Sequence, residues 1–515
     1  MKRVFSLMLA VIMALMVFAA IGNTAFAAAC NYVCLGDSVS NGYGLDGYLK
    51  PDGTNVRGYK QVVECAYHNI VAKELGAKLD QLGFSGYRAE DMLYMLDPSY
   101  ESDTYTQGYF IDTGRFDNCG GLEKMRKEYE EAVKKADYIS INLGSNNFGT
   151  YFGEQIDKLE AGEAPYPYDR PGYSKNAKVL KSEEYKALES TFKTYLEKIG
   201  TTAETVKVLL ESLKYTYTGF IECYDKCIER IYELNPDVKV IALGMYNPVE
   251  DAKLINGIFN IGDVAGLFVE HINKHIREKA PYSDTENYIY VNIRGIHIPG
   301  VEGNMLDSDF FTKMYENNSM AVHPDEQGHA DIAERMIERL RAPYYDVNKE
   351  DKFYDAVAFV TKEGLIDATK AHTFAPYSLA TKGMIATALY RAEGEEDIES
   401  EISFIDVREG MYYTEAIAWA VENEIMKGIT KKIFLPYAGV TRQNFAVMLW
   451  KANGEEECDT SYKFNDSFLV SKSAKTAINW AVENGVLSPY GKFISPRTMV
   501  TRAELAQALS ALYGK

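Results

Sequence analysis

The sequence lacks the features that mark several broad classes of protein. Beyond Ile21 it has no apolar run of the ~18 residues needed to cross a bilayer. Its 55 Lys and Arg are outnumbered by 74 Asp and Glu, for a formal charge of −19. Phosphate backbones are bound by clustered Lys and Arg, so no nucleic-acid partner is expected. Cysteines number seven, an odd count, in a chain large enough to fold without staples. His271 and His275 lie four apart, but no Glu follows the first and no third ligand is in view. No metal and no cofactor are expected.

What is present is ordinary globular protein. The chain is 46% hydrophobic and 25% charged over 515 residues, which excludes wholesale disorder and points to two or three domains. Tyrosines are abundant, at 38, and aromatic-rich surfaces suit sugars and interfaces better than phosphates. The amino end reads as a secretory signal over residues 1–27. Lys2 and Arg3 precede the apolar stretch Val4–Ile21, and Ala25-Phe26-Ala27 is a small-x-small cleavage site. The mature chain is therefore expected outside a bacterial cell, with no membrane contact after cleavage.

Residues 31 to about 342 alternate strand-like and helix-like segments. Tyr32–Leu35, Asp137–Leu143, Val238–Leu243 and Tyr288–Val291 are short, β-branched or aromatic, and followed by Gly, Asn or a loop. Helical patterns lie at Glu123–Lys135, Ser182–Ile199 with Ser182 as cap, Thr205–Leu234 and Gly328–Leu340. Such alternation predicts an α/β fold, a parallel sheet covered by helices, with ligands at the carboxyl ends of the strands. The Gly-, Pro- and Tyr-rich stretch Tyr151–Lys181 reads as a long loop or lid.

Residues 353–515 repeat with a period of 60: Thr381-Lys382, Thr441-Arg442 and Thr501-Arg502. Ahead of each lies Phe374-Ala-Pro376, Phe434-Leu-Pro436 or Phe493-Ile-Ser-Pro496. Further ahead are the helical runs at Asp355, Glu415 and Thr476, the last two ending in Trp419 and Trp480. A helix–loop–helix unit of this size cannot bury its apolar face alone, so the copies are expected to form one all-α module.

The chemistry sits in four short blocks. Ser38, in Leu35-Gly36-Asp37-Ser38, projects from the carboxyl edge of the sheet, and Ser40 in place of Gly excludes the Gly-x-Ser-x-Gly elbow. A serine nucleophile needs a base and an oxyanion site. His323, before Pro324-Asp325, is the natural base; Gly86, after Ser85, can offer a backbone N–H, and Asn146, in Gly144-Ser145-Asn146-Asn147, a side-chain N–H. Together these blocks resemble the SGNH hydrolases, also called GDSL-type esterases and lipases, over residues 31–342. The resemblance implies a flavodoxin-like sandwich with Ser38 as nucleophile and His323 as base. It also implies an oxyanion hole from the N–H of Ser38, the N–H of Gly86 and the Asn146 side chain. Two departures stand out: Met320 where the family often has Asp, and Asn147 where it usually has Asp. A backbone carbonyl or Asp325 is left to hold the imidazole.

The repeats resemble S-layer homology domains, at 353–394, 401–454 and 461–515, through Phe404-Ile-Asp406-Val407, Phe464-Asn-Asp466, the Ala-Ile-x-Trp helices and Thr501-Arg502-Ala503-Glu504. That resemblance implies binding to secondary cell-wall polysaccharide, with Arg442 and Arg502 as cations and Trp419 and Trp480 as aromatic neighbours. Core packing of the tryptophans is the competing reading. Lys382 and Phe359 in the first repeat, and Asn444 in the second, depart from the pattern. The function expected is a wall-anchored serine esterase cleaving acetyl or short-acyl esters, on glycans. The rivals are a lipid-ester hydrolase and a non-catalytic S-layer or wall-binding protein.

Overall fold

The computed structural model describes residues 30–48, 57–151, 158, 178–198, 200, 202–248, 253–254, 259–299, 322–395 and 404–514. The expected signal segment, most of the expected loop at 151–181, and Met320 lie outside them. The chain divides into two compact units, Met1–Ile337 and Glu338–Lys515.

The first unit is α/β. Strands β1 (Asn31–Gly36), β2 (Lys78–Gln81), β3 (Tyr138–Asn142), β4 (Lys239–Leu243) and β5 (Tyr288–Val291) form one sheet in the order β2-β1-β3-β4-β5. All four pairings are parallel. This is the flavodoxin-like order, in which chain direction along the sheet reverses beside β1. Apart from their first residues, β1, β3 and β4 are buried along their length, as strands covered on both faces must be. The expected strands all form. β2 was not legible, because Lys-Leu-Asp-Gln is a half-exposed edge strand without an apolar run.

Helices α1 (Tyr67–Leu75), α2 (Ala89–Leu96), α3 (Leu122–Lys135), α4 (Glu183–Lys198), α5 (Ala203–Leu234), α6 (Ile261–Glu278) and α7 (Glu326–Arg341) connect the strands or follow the sheet. Ser182 caps α4 as expected, its Oγ accepting from the Tyr185 N–H at 3.1 Å. α1 hides from a periodicity reading because its buried face includes Tyr67, His68 and Asn69. The sheet's end is set by Gly36: a Cβ there would stand 2.2 Å from Ser40 Oγ and 2.3 Å from the Asn142 carbonyl, and φ is +137°. Only glycine lets the chain leave β1 this close to β3.

The second unit is helical: α8 (Tyr354–Lys362), α9 (Lys382–Ala392), α10 (Thr414–Glu422), α11 (Arg442–Ala452), α12 (Lys475–Glu483) and α13 (Arg502–Tyr513). The pairing is cyclic. α9 packs on α10, α11 on α12, and α13 returns to α8, around one shared core. Isolated β-bridges close the same ring, at Thr381–Gly439, Thr441–Met499 and Leu379–Thr501. Each Phe-x-Pro turn is held by a carboxylate near the start of its repeat. Asp346 accepts from the N–H groups of Phe374 and Ala375, Asp406 from Phe434 and Leu435, and Asp466 from Ile494 and Ser495. These bonds pin Ala375, Leu435 and Ser495 at positive φ, between 52° and 62°.

Candidate active site

Ser38 follows β1 and Asn146 follows β3, so the sheet's reversal brings them to one crevice. His323 arrives from the start of α7. Its Nε2 lies 2.8 Å from Ser38 Oγ, across 285 residues of chain. Two contacts fix that approach. The Tyr246 hydroxyl, just past β4, donates to the Val322 carbonyl at 2.7 Å. The Tyr43 ring packs against the imidazole at 5.0 Å between centroids. The Asp325 carboxylate caps α7, accepting from the Gly328 N–H at 3.0 Å, and pairs with His297 at 2.9 Å.

The Gly86 loop docks on the end of β1, with the Phe84 N–H donating to the Gly36 carbonyl at 2.9 Å. Gly86 has φ +97°, a left-handed value that suits glycine. Among the described residues, none of the backbone hydrogen bonds outside helices and strands takes up the N–H of Ser38 or of Gly86. Asn146 is buried, and its Nδ2 donates to the Tyr87 carbonyl at 3.0 Å and to Asp37 Oδ2 at 3.3 Å. The four sequence blocks therefore converge.

Asp37 is fully buried, and burial pushes its carboxyl up to about 7, against the pull of the Val39 N–H that donates to it. Behind the serine lie two buried imidazoles. His68 Nδ1 is 2.9 Å from the Ser40 carbonyl, and burial lowers its pKa to about 4. His329 Nδ1 accepts from the Tyr67 N–H, and burial, then His68 and His323, lower its pKa to about 3. The departure at Asn147 has a local reason: Oδ1 accepts from the Ala89 N–H at 3.0 Å while Nδ2 donates to Glu90 at 2.7 Å. An aspartate could make only the first bond.

His271 and His275 do not converge. His271 Nδ1 meets the Leu267 carbonyl and His275 Nε2 meets Asp225. Among the described residues no group of three His, Cys, Asp or Glu side chains is arranged to hold a metal.

In the second unit the structure corrects one expectation. Arg442 and Arg502 are 1% and 2% exposed. Arg442 donates to the carbonyls of Ile494 and Ser488 and pairs with Glu504. Arg502 donates to the carbonyls of Phe374 and Asp367, both at 2.7 Å. Guanidiniums enclosed in this way tie one repeat to another and present no surface to a polymer in this conformation. Trp419 and Trp480 are likewise core residues, at 5% and 2% exposure. Lys382 in the first repeat makes the equivalent bonds, to the carbonyls of Phe434 and Lys427. Asp346 was missed; counting 60 residues back from Asp406 would have found it.

The S-layer homology domain model matches residues 403–446 and 463–506. The chain carries S-layer homology domains. Outside the matched residues, α8 and α9 add a further pair of helices to the same ring and the same core. Among curated proteins, the surface-layer 125 kDa protein of Lysinibacillus sphaericus is 32% identical over 161 residues, 30% of this chain and 14% of that one. An endoglucanase of Bacillus sp. (strain KSM-635) is 27% identical over 179 residues, 34% of this chain and 19% of that one. The chain thus spans less than a fifth of either relative. Similar solved structures include an extracellular lipase from Streptomyces rimosus, 15% identical with TM-score 0.34, covering 60% of this chain and 98% of that one. An acetyl xylan esterase from the rumen bacterium Butyrivibrio proteoclasticus is 17% identical with TM-score 0.29, covering 61% and 63%.

Proposed function

We propose that this chain is a serine esterase held at the bacterial cell surface by its S-layer homology ring, with residues 31–342 as the hydrolase domain. The observation that carries this reading is the 2.8 Å contact between Ser38 Oγ and His323 Nε2 at the carboxyl edge of a parallel sheet. His323 takes the hydroxyl proton as Ser38 Oγ attacks the ester carbonyl. The oxyanion forms among the Ser38 N–H, the Gly86 N–H and the Asn146 amide. The carbon–alkoxy bond then breaks, the alcohol leaves with the proton from His323, and water releases the acyl group from Ser38 by the reverse sequence. Acetyl or short-acyl esters on glycans are the favoured substrates, because a wall-bound enzyme works among polysaccharides. The ring, and the similarity to a surface-layer protein, support an extracellular location and attachment to secondary cell-wall polysaccharide.

Fluorophosphonate labelling of the folded chain tests the chemistry. The expected adduct is on Ser38 alone, absent from Ser38→Ala, whose ester hydrolysis falls by about 10⁴-fold or more. Folded protein that leaves Ser38 unlabelled would return the chain to a purely attaching role. For attachment, fragment 338–515, the whole second unit, should pellet with purified wall sacculi and be lost from them once the wall polymer is stripped.

A further inference from the structure

Beside Gly86 stands a group of side chains that the acyl-transfer chemistry does not use. Arg57 Nε donates to the Ser85 carbonyl at 3.0 Å, and its Nη2 reaches the Tyr109 hydroxyl at 3.3 Å. That Nη2 lies 3.5 Å from where a Gly86 Cβ would be, so the guanidinium borders the loop directly. The Arg115 guanidinium sits 3.6 Å from the centre of the Tyr109 ring, with Nη1 donating to the Tyr109 carbonyl at 2.6 Å. Tyr105 stacks on Tyr109 at 5.2 Å and ties it to Arg88.

The contrast with Arg88 is informative. Arg88 is buried between Asp91 and Asp103, its charge matched twice over. Arg115 is only half-buried, and no carboxylate among the described residues lies within ion-pair distance of it, in a chain with 74 acidic residues. Burial, and then the like charge of Arg57, lower its pKa, whereas the Tyr109 hydroxyl raises it. Arg57 itself is held in a left-handed backbone conformation, φ +50°, by hydrogen bonds from the Ser85 N–H and the Asn41 side chain to its carbonyl. Two cations are thus gathered around Tyr109, whose ring itself lies against Gly86.

We propose that Arg57 and Arg115 form an anion subsite beside Gly86 that seats the carboxylate of an acidic glycan, a polyuronate, bearing the ester cleaved at Ser38. The cleavage half of this statement rests on the esterase reading above; the binding half does not. A planar carboxylate matches the guanidinium fork, and two such donors orient it. A polymer is favoured over a lipid surface because the large apolar side chains exposed among the first unit's described residues are Val62, Leu267 and Tyr282, one on α6 and the other two in separate loops. The half-buried Tyr43 ring against His323 offers a sugar an aromatic edge instead.

The test compares O-acetylated polygalacturonate with O-acetylated neutral xylan, using the full chain. The expected preference for the acidic polymer weakens with added salt. Arg115→Gln, and separately Arg57→Gln, lower the acidic-to-neutral ratio of kcat/KM by roughly 10-fold or more, and Arg115→Lys restores part of it. In parallel, calorimetry on the Ser38→Ala chain measures binding of an oligogalacturonate, which Arg115→Gln weakens about 10-fold in the same background. An unchanged ratio, or oligogalacturonate affinity indifferent to Arg115, overturns the subsite. So does an Arg115-dependent affinity for anionic phospholipid vesicles without one for the oligogalacturonate. If Ser38 proves unreactive while the binding contrast holds, the subsite stands and the esterase reading falls.

Discussion

The Asp37 carboxylate accepts a 3.3 Å hydrogen bond from the Asn146 side chain, one residue ahead of the serine that meets His323. The same amide nitrogen also donates to the Tyr87 carbonyl at 3.0 Å. On the proposed mechanism its longer bond, to Asp37, is the one that a substrate oxyanion replaces. Asn146→Ala should therefore lower kcat by about 10²–10³-fold with a smaller change in KM, since the contact strengthens as charge develops on oxygen. Steady-state kinetics on a soluble acetyl ester would settle it, and an intact kcat would remove Asn146 from the oxyanion site.

Asp37 also gives activity and stability a pH signature. With its carboxyl pushed up to about 7, the folded chain prefers it protonated. Unfolded, it ionises near ~3.9, so its contribution to stability is fully present below that value and is lost as pH rises through about 7. On the proposed mechanism, the form ionised above that point would also grip the Asn146 amide and repel a nascent oxyanion. Asp37→Asn is expected to flatten the loss of stability between pH 4 and 7, read from urea midpoints, and to extend activity on the alkaline side. Identical pH profiles for the two proteins would contradict the assignment.

Acid should act through the histidines behind the site. His68 and His329, held at about 4 and about 3, stay neutral in the folded chain where the unfolded chain binds protons below ~6.5. Their depressed values support folding above that ordinary pKa, and the support drains away as pH falls through 6.5 toward 3. His329→Leu removes one such proton and should shallow the acid limb of a thermal-melt series, although it also loses the acceptor for the Tyr67 N–H. A limb of unchanged slope would mean that the His329 imidazole is not coupled to folding.

In the ring, Arg502→Lys should be far milder than Arg502→Ala. The first repeat already uses a lysine, Lys382, to reach the two equivalent carbonyls. Arg502→Ala leaves the carbonyls of Phe374 and Asp367 buried without a donor, at a cost of about 1–3 kcal/mol each. Denaturation of fragment 338–515, the whole second unit with Asp346 included, should rank the three proteins accordingly. Wall binding at 4 °C, where the alanine variant remains folded, should track stability and not the loss of a contact. Binding lost from a fully folded Arg502→Ala would restore the guanidinium as a direct ligand.

Much of this site could be read from the sequence because its parts are local. Ser38, Gly86, Asn146 and His323 each sit in a short block with a backbone reason to be there, and chain order carried them to one edge. Burial was not legible. Arg442 was read as a polymer-facing cation from the resemblance of the repeats, and only the cyclic packing encloses it. The reason for Asn147 was equally hidden, since Ala89 and Glu90 come from 57 and more residues away. β2 escaped notice because an edge strand needs no continuous apolar run.

Each repeat lends its cation to the next turn, Lys382 to the second, Arg442 to the third and Arg502 back to the first. A chain of hands joined in this way has no terminal member. Deleting any one copy would leave an orphaned cation on one side and an unheld turn on the other. Shortening the ring by a single repeat should consequently undo the whole clasp.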